Sequence, residues 1–358
     1  MPSMKTESPR IPKPTGTTPE VTGASERRSV PPSEHTSLWS RLKHGCVLCW
    51  LLAAWALSQS ASAAPSPLLT PDALLAQLPQ VRVIDIREGD ASSSPYAAGH
   101  IPGAVWAPYS SWRGAADNPG KLRSVPDYTA LVRSLGLNAQ TPVVLVADGS
   151  DPSDFGAPAR VYWTLKWLGL GHLAILNGGM TAWARAGLPM TRQSVQAQPS
   201  DFTPHLDTAI LASRTQVAQD LRQSQSTLLL DARPRAFYLG QVKAPAAAQP
   251  GTLPGALDFD NARWFPGGSG TLPDKAELER IAQSMPHAAG AQQTVSFCNT
   301  GHWAATNWFV LSELLHQPDV KLYPGSMVDW SRAGEPMTNV PSRIQQLWAQ
   351  LQQTWRAH

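Results

Sequence analysis

The chain has 358 residues, 29 basic against 26 acidic, and three cysteines, enough for two domains with substantial cores. Seven Lys/Arg and four Glu fall in the first 63 residues, which leaves 22 of each sign beyond them. A formally neutral body lacks the basic excess that nucleic acid or an anionic membrane surface requires, so neither is an expected partner.

Residues 1–37 are rich in Pro, Ser, Thr and Glu without apolar periodicity and are expected to be disordered. Residues 38–63 follow the order of a secretory signal: basic Arg41 and Lys43, an apolar run from Cys46 to Leu57, then small residues suited to cleavage near Ala63-Ala64. The run of twelve falls short of the roughly 20 residues that span a bilayer. Export to the periplasm or beyond is therefore expected, without stable membrane insertion. Cys46 and Cys49 would leave with this segment, so the mature chain keeps one thiol, Cys298, and no internal disulfide.

Beyond the leader the chain repeats itself. Val83-Ile-Asp-Ile-Arg87 recurs as Leu229-Leu-Asp-Ala-Arg233, His100-Ile-Pro-Gly-Ala104 as Thr252-Leu-Pro-Gly-Ala256, and Trp183-Ala-Arg-Ala-Gly-Leu-Pro-Met190 as Trp330-Ser-Arg-Ala-Gly-Glu-Pro-Met337. The order is the same in both halves, as a tandem duplication requires. In the first half, residues 81–86 and 143–147 read as buried strands, and residues 127–135 and 158–168 as helices. A polar linker is expected between Thr191 and Thr208. In the second half, residues 227–230 and 294–297 read as strands, and residues 214–222, 275–285 and 306–315 as helices. Short apolar strands alternating with helices predict, in each half, a parallel sheet flanked by helices on both faces. The domains are expected at 64–195 and 205–340. The tail, 341–358, has helical spacing at Ile344, Leu347, Trp348, Leu351 and Trp355 and is expected to pack on the body. Most of the fourteen Trp are expected in the core or lining a groove.

Cys298 ends a predicted parallel strand, where α/β proteins place ligands. Asn299-Thr-Gly-His-Trp-Ala304 follows and leads into a helix. Gly301 lets such a loop curl until its N–H groups converge, a nest that stabilises a thiolate or persulfide. The competing reading is a buried structural cysteine.

The Asp-x-Arg loop, Gly99-His-Ile-Pro-Gly-Ala104 and Asn177-Gly-Gly-x-x-x-Trp183 together resemble the rhodanese family, over both copies and about 270 residues. The resemblance implies two tandem rhodanese-like domains, the first inert and the second catalytic, with Asp148 standing in the first copy where Cys298 stands in the second. It implies a sulfurtransferase that carries sulfane sulfur on Cys298, from thiosulfate or a similar small sulfur-containing anion to cyanide, a thiol or a protein thiol. No metal or organic cofactor is expected, and a monomer is. Candidate substrate-binding residues are Asn299, Thr300, Gly301, His302, Trp303 and Arg235.

The loop departs from the family's better-known patterns. No Arg or Lys stands beside the cysteine, and Phe237 precedes Tyr238-Leu-Gly240 where relatives carry Arg. Arg235 or a protonated His302 could supply the missing cation. Arg233 has a repeat mate, Arg87, and reads at least as well as a structural ion pair. Mercaptopyruvate as donor, or a persulfide carrier that does not turn over, remain alternatives. A phosphatase would need an Arg in the loop to match transition-state charge, and there is none.

Overall fold

In this computed structural model, residues 66–223, 227–288 and 290–342 are described. All belong to one compact unit, residues 62–358. Residues 1–65, where the disordered extension and the signal segment are expected, and the tail from 343 onward lie outside them.

The first half runs β1 (Leu68–Leu69), α1 (Pro71–Gln77), β2 (Arg82–Asp85), α2 (Pro95–Ala98), β3 (Val105–Trp106), α3 (Val125–Ser134), β4 (Val143–Val146), α4 (Gly156–Trp167), β5 (Leu173–Leu176) and α5 (Gly179–Arg185). The second runs α6 (Arg214–Arg222), β6 (Thr227–Asp231), α7 (Arg235–Tyr238), β7 (Leu257–Asp258), α8 (Lys275–Gln283), β8 (Gln293–Phe297), α9 (Trp303–Trp308), β9 (Val320–Leu322) and α10 (Ser326–Arg332). The sheets have orders β1-β5-β4-β2-β3 and β7-β6-β8-β9, parallel throughout. A single parallel bridge, Leu211 to Leu322, stands where β1 pairs with β5 in the first sheet. The expected fold class is what the chain adopts.

Caps set the helix boundaries. Ser124 accepts from the Asp127 N–H, so α3 starts two residues before the apolar pattern does, with Pro126 in its first turn. Ser213 and Asp274 cap α6 and α8 in the same way. β1, β3, β7 and β9 escaped the sequence pattern because two or three residues carry no periodicity. The helix expected from residue 306 begins at Trp303 and widens at Phe309–Leu314 into a π-helix.

Alternate strand residues face opposite layers. Ile84, Val143 and Leu145 face a large core that continues into the second half through Phe259, Trp264, Trp308 and Phe309. Val83, Val144 and Val146 face a smaller one on the far side, as Leu229, Val295 and Phe297 do in the second half. Four tryptophans of the large core, Trp112, Trp163, Trp264 and Trp308, are wholly buried. The halves thus share a core, with α4 packed on α9. Glu313, on the π-helical turn, accepts from Tyr162 Oη and Lys166 Nζ at 2.8 Å each across the junction. No described helix is long and apolar enough to cross a membrane.

Candidate active site

The sheet registers set the two halves side by side. Asp85 pairs with Val146 and Asp231 with Phe297. The next residues, Ala147 and Cys298, are therefore equivalents. Their carbonyls confirm it, accepting from Met180 N–H and Met327 N–H respectively. This corrects the expected match of Asp148 to Cys298 by one residue: Ala147 is apolar and continues the buried run, which hid the strand's end. Asp148 is the counterpart of Asn299, and it is exposed.

Cys298 is 1% exposed. Its N–H donates to Ser326 Oγ at 3.0 Å, and Ser326 Oγ donates to the Tyr323 carbonyl at 2.8 Å. The loop's carbonyls are all turned outward. Those of Cys298 and Asn299 accept from the Met327 and Val328 N–H groups. That of Thr300 accepts from Arg113 at 2.7 Å and Arg160 at 3.3 Å, and that of Gly301 from Arg160 at 3.3 Å. Among the described residues, the N–H groups of Asn299, Thr300, Gly301 and His302 meet no acceptor. Gly301 sits at φ +70°, and a Cβ there would lie 2.5 Å from Arg160 Nη1 and 2.7 Å from the Pro324 carbonyl. The loop thus leaves these N–H groups uncommitted, and the first half holds its carbonyls through Arg113 and Arg160.

A pocket of about 460 Å³ opens above the thiol. Cys298, Asn299, Thr300, His302 and Trp303 line it from the second half, and Glu88, Tyr109, Ser110 and Arg113 from the first. Gly301 shapes the loop without lining the pocket. Arg235 is elsewhere: it is 70% exposed along its side chain and pairs with Asp258 at 2.8 Å. Arg233 makes the structural pair, gripping Asp231 at 2.6 Å as Arg87 grips Asp85 at 2.7 Å. Each also donates to the carbonyl of a repeat-equivalent glycine, Gly251 or Gly99.

His302 is not the missing cation. Its Nε2 lies 2.9 Å from the Ser153 carbonyl, which can only accept, so Nε2 carries the proton. With the ring held neutral by burial, its Nδ1 accepts from Tyr109 Oη at 2.9 Å. Burial, and then Arg113, hold the ring down to about 4, so it is neutral at physiological pH. Burial raises Tyr109 above the ordinary phenol range, against the pull of Arg113 and Arg160, so its hydroxyl stays protonated. Trp303 Nε1 donates to Ser153 Oγ at 2.8 Å, and its ring meets Phe237 edge-on.

The first half's contribution was not legible in the sequence. Arg160 is wholly buried in α4, lowered by burial and then by Arg113 to about 10, and still charged. An arginine amid the apolar residues of α4 was the available signal, since a buried charge must have partners. Tyr109 opens a 3-10 turn over Tyr109–Trp112, Arg113 follows it and Ser153 lies in a loop, with no motif around any of them.

The Rhodanese-like domain family matches residues 70–186 and 213–333. The chain is 27% identical over 304 residues to a putative thiosulfate sulfurtransferase of Synechococcus elongatus, covering 82% of this chain and 91% of the relative. It is 31% identical over 278 residues to a probable 3-mercaptopyruvate sulfurtransferase of Pseudomonas aeruginosa, covering 74% and 94%. The crystal structure of the 3-mercaptopyruvate sulfurtransferase SseA from Escherichia coli superposes with a TM-score of 0.62 at 24% identity, over 73% of this chain and 98% of that one, and so shares its fold. With two family matches, two parallel sheets and one nest-bound thiol at the second, the chain belongs to the rhodanese family of sulfurtransferases.

Proposed function

We propose that the chain is a thiosulfate sulfurtransferase working through a Cys298 persulfide. The observation that carries this reading is the nest: a thiol at the base of a pocket, in a loop whose four N–H groups are uncommitted. The Cys298 thiolate attacks the outer sulfur of thiosulfate, the donor's S–S bond breaks, and sulfite leaves with the electron pair. The outer sulfur is then held as a persulfide whose negative charge the loop N–H groups face. Cyanide or a thiolate attacks that sulfur, leaves as thiocyanate or a new persulfide, and returns the Cys298 thiolate.

Mercaptopyruvate is the second reading. The Pseudomonas relative's name favours it, and the pocket has room for a donor bulkier than thiosulfate. Against it, mercaptopyruvate-preferring relatives tend to carry Cys-Gly-Ser/Thr-Gly-Val-Thr, and after Cys298 only Thr300 and Gly301 fit that pattern.

The test is steady-state turnover of thiosulfate with cyanide beside mercaptopyruvate, together with mass spectrometry after thiosulfate alone. One added sulfur on Cys298, absent from Cys298→Ser, is expected. Turnover by the serine variant would sink the mechanism, and turnover with mercaptopyruvate alone would change the donor. The same reading has the enzyme exported as a monomer after cleavage near Ala63-Ala64, which N-terminal sequencing and the solution mass of the secreted chain test.

A further inference from the structure

A dianionic donor entering a partly desolvated pocket needs compensating positive charge beyond the partial charges of backbone N–H groups. The side chains about the loop narrow the source to one. Arg235 faces Asp258 outside the pocket. Arg233 is spent on Asp231 and Gly251. Both ring nitrogens of His302 are already engaged, Nε2 with the Ser153 carbonyl and Nδ1 with Tyr109 Oη. Arg160 lies behind the loop, wholly buried, holding the carbonyls of Thr300, Gly301 and Gly120. Among the described residues, Arg113 is the one cationic side chain lining the pocket.

Arg113 is also incompletely spent. Its Nη2 donates to the Thr300 carbonyl at 2.7 Å, while its buried Nη1 has no hydrogen-bond partner. No carboxylate pairs with it among the described residues, and its guanidinium carbon sits 5.1 Å from the centre of the Tyr109 ring. An unpaired, nine-tenths buried guanidinium is costly unless a ligand completes it.

We propose that Arg113, on the half that lacks the cysteine, is the anchor for the oxyanion end of the sulfur donor, so that the first half determines donor specificity. The inference rests on the Cys298 sulfurtransferase reading, but its anion site can be probed without turnover. Arg113 fixes one end of the loop and the donor's charge together, so a tetrahedral dianion is held with its outer sulfur toward Cys298.

Sulfate, an unreactive dianion, is the probe. In the full chain it is expected to slow alkylation of Cys298 by neutral iodoacetamide in a saturable way. In Arg113→Met the protection constant weakens at least tenfold, the thiosulfate KM rises by a similar factor, and added guanidinium ion restores part of both. Rescue is what a purely structural role would not give. Where the methionine variant does not fold, Arg113→Lys keeps the charge but loses the fork, and at least threefold weaker protection is expected. Sulfate protection within twofold of wild type in the variant that folds overturns the proposal. Arg113-dependent sulfate protection in a chain that takes no sulfur from thiosulfate would keep the anion site and refute the donor.

Discussion

The two halves carry the same sheet and differ most in one loop. Between β8 and α9 five residues turn the chain, whereas between β4 and α4 nine do. The short loop leaves the N–H groups of Asn299, Thr300, Gly301 and His302 without an acceptor among the described residues. The long one begins with Ala147 and is tied to itself, Asp151 accepting from the Ser153 and Asp154 N–H groups and Asp154 from Ser150. Its Ser153 holds both His302 and Trp303 of the other half. The comparison teaches that the cysteine-less copy is a working wall of the site.

The hardest test of that division is to move the thiol. In a chain carrying both Ala147→Cys and Cys298→Ala, a cysteine stands at the equivalent sheet position above the wrong loop. Without a five-residue nest, activity should fall below about one-thousandth of wild type, because the nucleophile lacks the groups that hold it as an anion. Sulfur found on residue 147 by mass spectrometry after thiosulfate would show that the sheet position alone suffices.

Tightness of the short loop is the next point to break. Gly255 has the same φ as Gly301, +70°, but a Cβ there meets nothing within 4 Å. Gly255→Ala should cost only the backbone strain, about 1 kcal/mol. Gly301→Ala adds a clash with Arg160 and the Pro324 carbonyl and should cost about 3 kcal/mol. Urea unfolding of both variants reads the difference, and equal losses would mean that the first half does not press on the loop.

How much of this was legible follows from where the signals lie. The Asp-x-Arg pairs were legible because the motif occurs twice and the bidentate grip needs that spacing; the structure repeats it at Asp85–Arg87 and Asp231–Arg233. Cys298 was legible as the one cysteine beyond residue 63, at a strand's end. The donor's cation was not. Arg113 reaches Thr300 across 187 positions, a contact made by docking one half on the other, and no local pattern encodes that. Arg235 was the natural expectation because it neighbours the segment where relatives carry Arg, but on α7 it turns to Asp258 instead. The site's geometry lives in the tertiary packing, and its chemistry lives in the residues.

His302 links the halves through a proton, and pH can pull on that link. Its folded value of about 4 lies below the ordinary 6.5, so between these the unfolded chain binds more protons. Stability is full above pH 6.5, falls as pH drops toward 4, and is flat below. The interval caps the loss at about 3 kcal/mol, and the half-buried ring lowers it to about 2 kcal/mol. Stability measured by urea from pH 7 to 4 should show this loss in wild type beyond that of His302→Gln. Thiosulfate affinity should show no step near pH 6.5 that depends on His302. Such a step would restore the protonated imidazole as the donor's cation.

The smallest effect belongs to Glu88, which lines the pocket from the first half with the opposite sign to Arg113. It is exposed, and its carboxylate accepts from the Ser110 N–H at 2.7 Å and Ser110 Oγ at 3.0 Å, so it is held in place. A fixed negative charge at the rim repels a dianion on entry but, being solvated and screened, repels it weakly. Glu88→Gln keeps the hydrogen-bond acceptor and removes the charge. It should raise kcat/KM for thiosulfate about twofold at low salt, some 0.4 kcal/mol, and the gain should vanish as ionic strength rises. The gain should come from KM with kcat unmoved, since the rim charge acts before the sulfur is transferred. A gain that survives high salt would place the carboxylate closer to the bound donor than its exposure implies. A loss of activity instead would make Glu88 a contact for the acceptor, and the first half would then recognise both ends of the reaction.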